Sequence, residues 1–529
     1  MKLRSTILLL AAAFLSTTIY AQNFTADFTE KADNMFSNVT NGVRLRSGWL
    51  TVKSEFDKSK WYQEVSLVSL LLQDDKMQTL KKVDVPIKFN KFLRIKGLYR
   101  SGGKTVLLYA YKEGRKDEEY HIAGIKINEA DLSLSAEIDL GKYTCTKGNT
   151  TPYFTFEYNT DSTKYFLFNE AVQKEKDNKQ FYFKFLNNDL SVINEKAITM
   201  ETEARYVMIN SKYFDEAGNV YISYRTYAKE RESDQYLDED GKIPEYTTSI
   251  VQYTRDGRTN NVNIGLGANF VHTAKFFPDK SGAFHIVGTY KAGNSKSLVK
   301  GIFICTYNTA KNEISNLKSP EVPAEMLALL GKDGIASEDS KNPGISSNFK
   351  TCNFSQRDNG YFDLTLEYDL SYIHKMRSAN NMSYQESYER HVGSILNATF
   401  DNNGKVIFTR IPKWQEDGAF SDNMSNFSFY FGNKMIFLYN DDKDNLDKDI
   451  TMKPDNITNF RQSVLMAAIV DEKGNVERKI VYSSNDDKYA FVIEATSFIK
   501  DNTYFVKKSK TGSVLDIEHT KSGLLKITP

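Results

Sequence analysis

KFFPDKSGAFHIVGTYKAGNSKSLVKGIFICTYNTAKNEISNLKSP, residues 275–320, reads as four short strands. KFF runs into a turn at Pro278-Asp279-Lys280-Ser281-Gly282, and AFHIVGTY follows. After a loop comes GIFICTY, and a turn at 308–312 leads to EISNLKS. Apolar runs of strand length, rich in Phe, Ile, Val and Tyr and cut by Gly and Asn, are the signature of hairpins.

Working outward, the same unit recurs along most of the chain. VRLRSGWLTVKSEF (43–56) alternates as strands do. EVSLVSLLLQ (64–73) and LKKVDVPI (80–87) form a hairpin about Asp74-Asp75-Lys76. FLRIKGLY, TVLLYAY, HIAGIKIN and LSAEIDL make the next set, and YFTFEYN, KYFLFNE, FYFKFLN and VINEKAI the third. Sets built around NVYISYRTY, YFDLTLEY and KMIFLYN follow, with FVIEATSFI, TYFVKK, SVLDIEH and LLKIT last. Four strands repeated in fixed order imply units that bury their faces against their neighbours.

This pattern resembles the β-propeller superfamily in general, over nearly the whole chain. The resemblance implies an all-β fold of four-stranded antiparallel blades. Eight blades is the count taken here; in a seven-blade alternative the N-terminal hairpin completes the final blade. Subfamily marks are missing: there is no Gly-His to Trp-Asp pairing and no sialidase Asp box. Phe277-Pro278-Asp279 with Gly282 is similar to the Pro-Asp-Gly turn of TolB-like blades, in one copy. The resemblance therefore carries fold and no residue-level function.

The first residues read as an export signal. Lys2 and Arg4 precede an apolar run from Ile7 to Leu15, and Ala21 precedes Gln22. The run is too short to span a bilayer, and cleavage after Ala21 is expected. The expected organisation is a signal over 1–21, a polar lead-in over 22–42 and one propeller domain over 43–529. A periplasmic or extracellular location follows. The sequence holds 69 Lys+Arg and 68 Asp+Glu, and removing the signal leaves 67 against 68, a balance of −1. A surface so balanced offers no electrostatic attraction for nucleic acid or an anionic membrane. Cys145, Cys305 and Cys352 are odd in number and widely spaced, neither a disulfide framework nor a zinc set. Cys305, inside GIFICTY, is expected to be a buried small hydrophobe.

In a propeller, the first-to-second and third-to-fourth strand turns share one face. Here nearly all of those turns are tight. The insertions, at 228–246, 319–344, 371–391 and 441–459, fall on the opposite face. Within 319–344, PAEMLALL reads as one short helix with Pro near its start and Gly331 after its end. The acidic run from Asp441 to Asp449 lacks the Gly and closing Glu of a calcium loop. No cofactor or metal site is expected, and His285, within a strand, is expected to be structural.

Loops held by a rigid scaffold carry function, so the working surface is expected on the long-loop face. Arg225, Tyr227 and Tyr246 flank one insertion, and Tyr384, Glu386, Tyr388, Arg390 and His391 lie in another. Trp414 is expected beside them. Tyr, Trp and Arg dominate binding hot spots. The expected function is non-catalytic binding of a protein or glycan by a monomer. A glycan-active hydrolase or lyase using loop carboxylates is the alternative.

Overall fold

The computed structural model describes residues 23–28, 37–56, 65–87, 92–114, 117–144, 154–158, 163–170, 176–228, 245–279, 281–293, 297–339, 341–377, 384–418, 422–484, 487–500, 502–510 and 519–528. The expected signal, Cys145 and most of the 228–246 insertion lie outside them.

Eight antiparallel sheets follow one another along the chain. The opening stretch forms blade 5, with strands Asn269–Pro278, Phe284–Ala292, Val299–Asn308 and Glu313–Lys318. Blades 1 to 4 begin with Ser37–Leu45, Phe92–Ser101, Phe154–Tyr158 and Val207–Phe214. Blades 6 and 7 begin with Phe349–Gln356 and Phe427–Phe431. Blade 8 contains Ser497–Lys500, Thr503–Lys510 and His519–Thr528. The chain is an eight-bladed β-propeller.

Alternation within a strand explains the stacking. In blade 2, Val106 and Leu108 pack toward blade 3, while Leu107 and Tyr109 pack toward blade 1. Side chains two apart share a face, so a central strand covered on both sides is apolar throughout. Each of the eight junctions between neighbouring blades has its own buried cluster, including blade 8 against blade 1 through Phe505, Leu524, Val39 and Trp49.

The tight turns share one chemistry. Asp279 N–H donates to Ala283 O, and Gly282 N–H to Asp279 O. Gly282 takes φ +83° and Gly404 +86°, which favour glycine. The Asp279 Oδ1 accepts from the Ser281 and Ala283 amides, as Asp401 does from Asn403 and Lys405. His285 Nε2 donates to Asp279 Oδ2 at 3.0 Å, a structural role. Cys305 is buried, and its burial pushes the thiol up to about 12.

The ring closes where the sequence suggested a loose lead-in. Asn23–Phe28 pairs antiparallel with His519–Thr528, from Asn23↔Thr528 to Phe28↔Gly523. The N-terminal segment thus supplies the outermost strand of blade 8; the expected strand SVLDIEH lies, but for His519, outside the described residues. A Cβ on Gly523 would stand 2.4 Å from Asp27 O, so this register needs glycine. Phe28 packs edge-on against Phe491 at 5.6 Å.

Among the described residues, two of the insertions form regular structure. The helix Ala324–Lys332 runs through Gly331 and buries Met326, Leu327 and Leu330. The chain then turns at Gly334, whose N–H donates to Gly331 O. Residues 371–377 and 384–391 are parts of two long strands, Phe362–Arg377 and Tyr384–Phe400.

Asp441 ends a strand of blade 7 and is fully buried. Its Oδ1 accepts from Asn445 Nδ2 and the Asp442 amide. Burial pushes its carboxyl up to about 7 despite those donors and the Lys413 and Arg478 charges. The folded state then keeps a proton that the unfolded chain releases near pH 4. Stability from this group is present at low pH and lost as pH rises to about 7. Asp441→Asn keeps the Oδ1 acceptor and removes the ionisation. The variant is expected to exceed the parent by about 3–4 kcal/mol above pH 8, with the two converging near pH 4, in denaturant titrations. Equal stabilities at both pH values would contradict this.

Candidate functional site

Second strands end, and third strands begin, on the long-loop face. Blade 4 places Arg225 and Tyr227 at the end of Val220–Tyr227 and Tyr246 at the start of Tyr246–Tyr253. The two tyrosines are buried. The Arg225 guanidinium lies 4.4 Å over the Tyr246 ring, and Nη2 donates to His272 O at 3.1 Å. His272 is buried in the first strand of blade 5. Its Nε2 lies 3.1 Å from Ser347 O, an acceptor, so Nε2 carries the proton. Tyr246 Oη then donates to Nδ1. Burial, then Arg225 and Lys291, push His272 well below its ordinary range, and the ring is neutral. Burial and Arg225 lower Lys291 to about 7.

Blade 6 brings the other candidates together. Tyr384, Glu386 and Tyr388 occupy alternate positions of one strand, paired with Arg377, Lys375 and Ile373. Arg390, two positions on, is half-buried and bridges Asp369 at 3.1 Å and Glu494 at 3.2 Å. Burial would raise the Asp369 carboxyl, but Lys350 and Arg390 hold it below its usual range. His391 stands between Glu389 at 2.6 Å and Glu416 at 3.2 Å. Trp414 donates from Nε1 to Glu416 at 2.7 Å and stacks on Tyr368 at 5.8 Å. A Cβ on Gly393 would lie 3.0 Å from both rings, so glycine lets that strand approach the stack.

The two groups of candidates are separate: one joins blades 4 and 5, the other lies on blade 6. Tyr227 and Tyr246 are packed inward, and Trp414 is held by a hydrogen bond and a stack.

Sequence reasoning missed the buried ions beneath this face. Lys413 and Glu367 pair at 2.9 Å, almost wholly buried, and Glu367 also accepts from Ser425 and Asn426. Arg410 and Asp333 pair at 2.7 Å with both side chains essentially inaccessible. Ser394 donates to the same carboxylate, and Arg410 also donates to Ile450 O and Met452 O. Arg410 thus ties the 319–344 and 441–459 insertions to blade 6. The available signal was a charged residue inside an apolar run, such as Glu367 within YFDLTLEYDL.

A cavity of about 750 Å³ opens on the other face, among the tight turns of blades 8, 1, 2 and 3. Arg44, Arg46, Arg100 and Lys526 line it with Trp49, Tyr99, Tyr158 and Phe498.

No protein-family model matches the chain, and no curated protein matches it. Among solved structures, an ulvan lyase described as a polysaccharide lyase bound to -[GlcA(1-4)Rha3S]- is 11% identical, with 80% of this chain and 90% of that one covered and a TM-score of 0.38. The WD40 domain of SCAP from fission yeast is 9% identical, with coverage of 96% and 98% and a TM-score of 0.34. A xylan β-1,4-xylosidase from Bacillus halodurans is 10% identical, with coverage of 95% on both sides and a TM-score of 0.22. Likeness at this level transfers no ligand and no reaction to this chain. Among the described residues, no helix is long and apolar enough to cross a membrane.

Proposed function

We propose that the chain is an exported, non-catalytic binding propeller that engages a protein or glycan ligand with its long-loop face. The observation that carries this reading is the two-stranded arm of blade 6. Nine consecutive pairs, from Asp369↔Val392 to Arg377↔Tyr384, extend its central strands beyond the blade. The arm is braced at its base: Trp414–Gly418 pairs with its second strand, and Arg390 bridges to Asp369 and Glu494. A rigidly rooted projection bearing Tyr384 and Tyr388 suits recognition, because binding residues lose less entropy when their scaffold is already ordered. The carboxylates at the arm's base are already engaged: Asp369 by Lys350 and Arg390, and Glu416 by the Trp414 Nε1–H, with His391 Nδ1 3.2 Å away. Export is consistent with the closing strand, since cleavage after Ala21 leaves Asn23–Phe28 intact.

The test separates ligand contacts from structural pins. Tyr384→Ala and Tyr388→Ala are expected to weaken binding by about 2 kcal/mol or more, with melting little changed. Trp414→Ala is expected instead to cost about 3 kcal/mol of stability. Binding would be measured on a glycan array and with ligand purified from envelope extract, and melting by circular dichroism. Parental binding in both tyrosine variants would remove the arm from the site. Turnover of a bound glycan would favour the hydrolase or lyase alternative.

A further inference from the structure

We propose that the cavity on the tight-turn face is a second binding site, for an acidic saccharide of one to three rings. It lies on the face opposite the arm and does not depend on the proposed long-loop site. Its volume of about 750 Å³ is that of a small-molecule pocket.

Its charge selects an anion. Arg44, Arg46, Arg100 and Lys526 stand against a single acidic residue, Asp75. Asp75 is already engaged: Arg44 Nη1 reaches it at 2.5 Å and Trp49 Nε1 donates to it at 3.0 Å. Arg44 also lies 4.7 Å over the Trp49 ring. Burial would raise the Asp75 carboxyl, but these donors and the Arg44 and Lys526 charges hold it below its usual range. Arg100 forms a two-pronged bridge to Glu129, both contacts at 2.9 Å. Arg46 and Lys526 have no carboxylate within ion-pair distance among the described residues, and Arg46 is exposed. They are the two cations left for an incoming carboxylate or sulfate.

Its rings select a flat partner. Phe498 is 61% exposed and Tyr158 39%, both large apolar groups left open to water beside the cavity. Tyr158 is fixed, because its Oη accepts from the Arg100 amide at 2.9 Å. The wall is also fixed: Asn41 donates to Leu98 O at 2.8 Å and accepts from Leu98 N at 2.7 Å. Pre-positioned flat rings beside unpaired cations match a sugar ring that carries an acidic group. The site draws on turns of four different blades, so it exists only in the closed ring.

The experiment is calorimetric titration of the full chain with trigalacturonate, a hyaluronan disaccharide and a chondroitin sulfate disaccharide. Maltotriose, inorganic sulfate and hexaglutamate are the comparators. At least one acidic saccharide is expected to bind with Kd below about 1 mM, and maltotriose is expected not to bind. The double variant Arg46→Glu/Lys526→Glu is expected to lose affinity about tenfold or more with unchanged melting. Phe498→Ala is expected to lose several-fold, while Tyr384→Ala leaves this binding unchanged. Binding by none of the three acidic saccharides overturns the proposal. So does equal binding by the charge-reversed variant, which would place the contact elsewhere. Equal affinity for hexaglutamate would make the site one for acidic peptides, and equal affinity for sulfate one for a simple anion; either also overturns it.

Discussion

Replacing Arg410 with leucine is expected to cost about 3–5 kcal/mol and to loosen the layer of insertions over blades 5 to 7. The guanidinium is essentially inaccessible and makes two-pronged contact with Asp333, also inaccessible. Removing it strands a carboxylate out of water, with Ser394 as its remaining side-chain donor. It also frees the carbonyls of Ile450 and Met452. Denaturant titration would give the loss. Hydrogen exchange over Ala324–Lys332 would locate it, because Asp333 caps that helix. The double variant Arg410→Leu/Asp333→Leu is expected to recover much of the loss, since an apolar pair leaves no buried charge. A single-variant loss below about 1 kcal/mol would show that water reaches the pair.

Deleting residues 1–28 is expected to cost about 3–6 kcal/mol and to make the protein prone to association. The deletion removes Asn23–Phe28, the outer strand of blade 8. It uncovers Phe491 and Tyr482, against which Phe28 packs, and removes the Phe28 ring that lies 4.1 Å from Lys508 Nζ. His519–Thr528 becomes an exposed edge, a template for pairing with another chain. Thermal melting and light scattering would read the two effects. A deleted chain that stays monomeric and melts with the parent would mean that the blade interfaces alone hold the ring closed. Deleting only 1–21 is expected to change neither property, because the closing strand starts at Asn23.

The cation pair of the cavity and the aromatic arm of blade 6 lie on opposite faces, so they are separable by mutation. Arg46 and Lys526 come from blades at the two ends of the chain, whereas Tyr384 and Tyr388 come from one strand. Chain closure therefore matters to the first proposed site and little to the second.

The amino-acid sequence by itself determined the repeating four-strand unit and the tight turns, and it favoured eight blades over seven. The unit and its turns are local properties, whereas the count was settled by the pairing of the chain's two ends. The near-continuous apolar runs TVLLYAY and KYFLFNE specify central strands covered on both faces, and Asp and Gly three residues apart specify the turn. It also placed the insertions on one face, because that placement follows from strand order alone. The tertiary structure decided what depends on residues far apart in the chain. The polar stretch after the expected signal has a weak strand pattern, and only pairing with Gly523 and its neighbours makes it the closing strand. The 371–391 insertion resembled a loop because its polar residues flank no core, yet hydrogen bonding across nine pairs makes it an arm. Asp333 and Arg410 lie 77 positions apart, and the tight-turn cavity joins residues of blades 8, 1, 2 and 3. Charge pairing and cavity shape come from three-dimensional proximity, and the side-chain period along a strand does not encode which distant charges will meet.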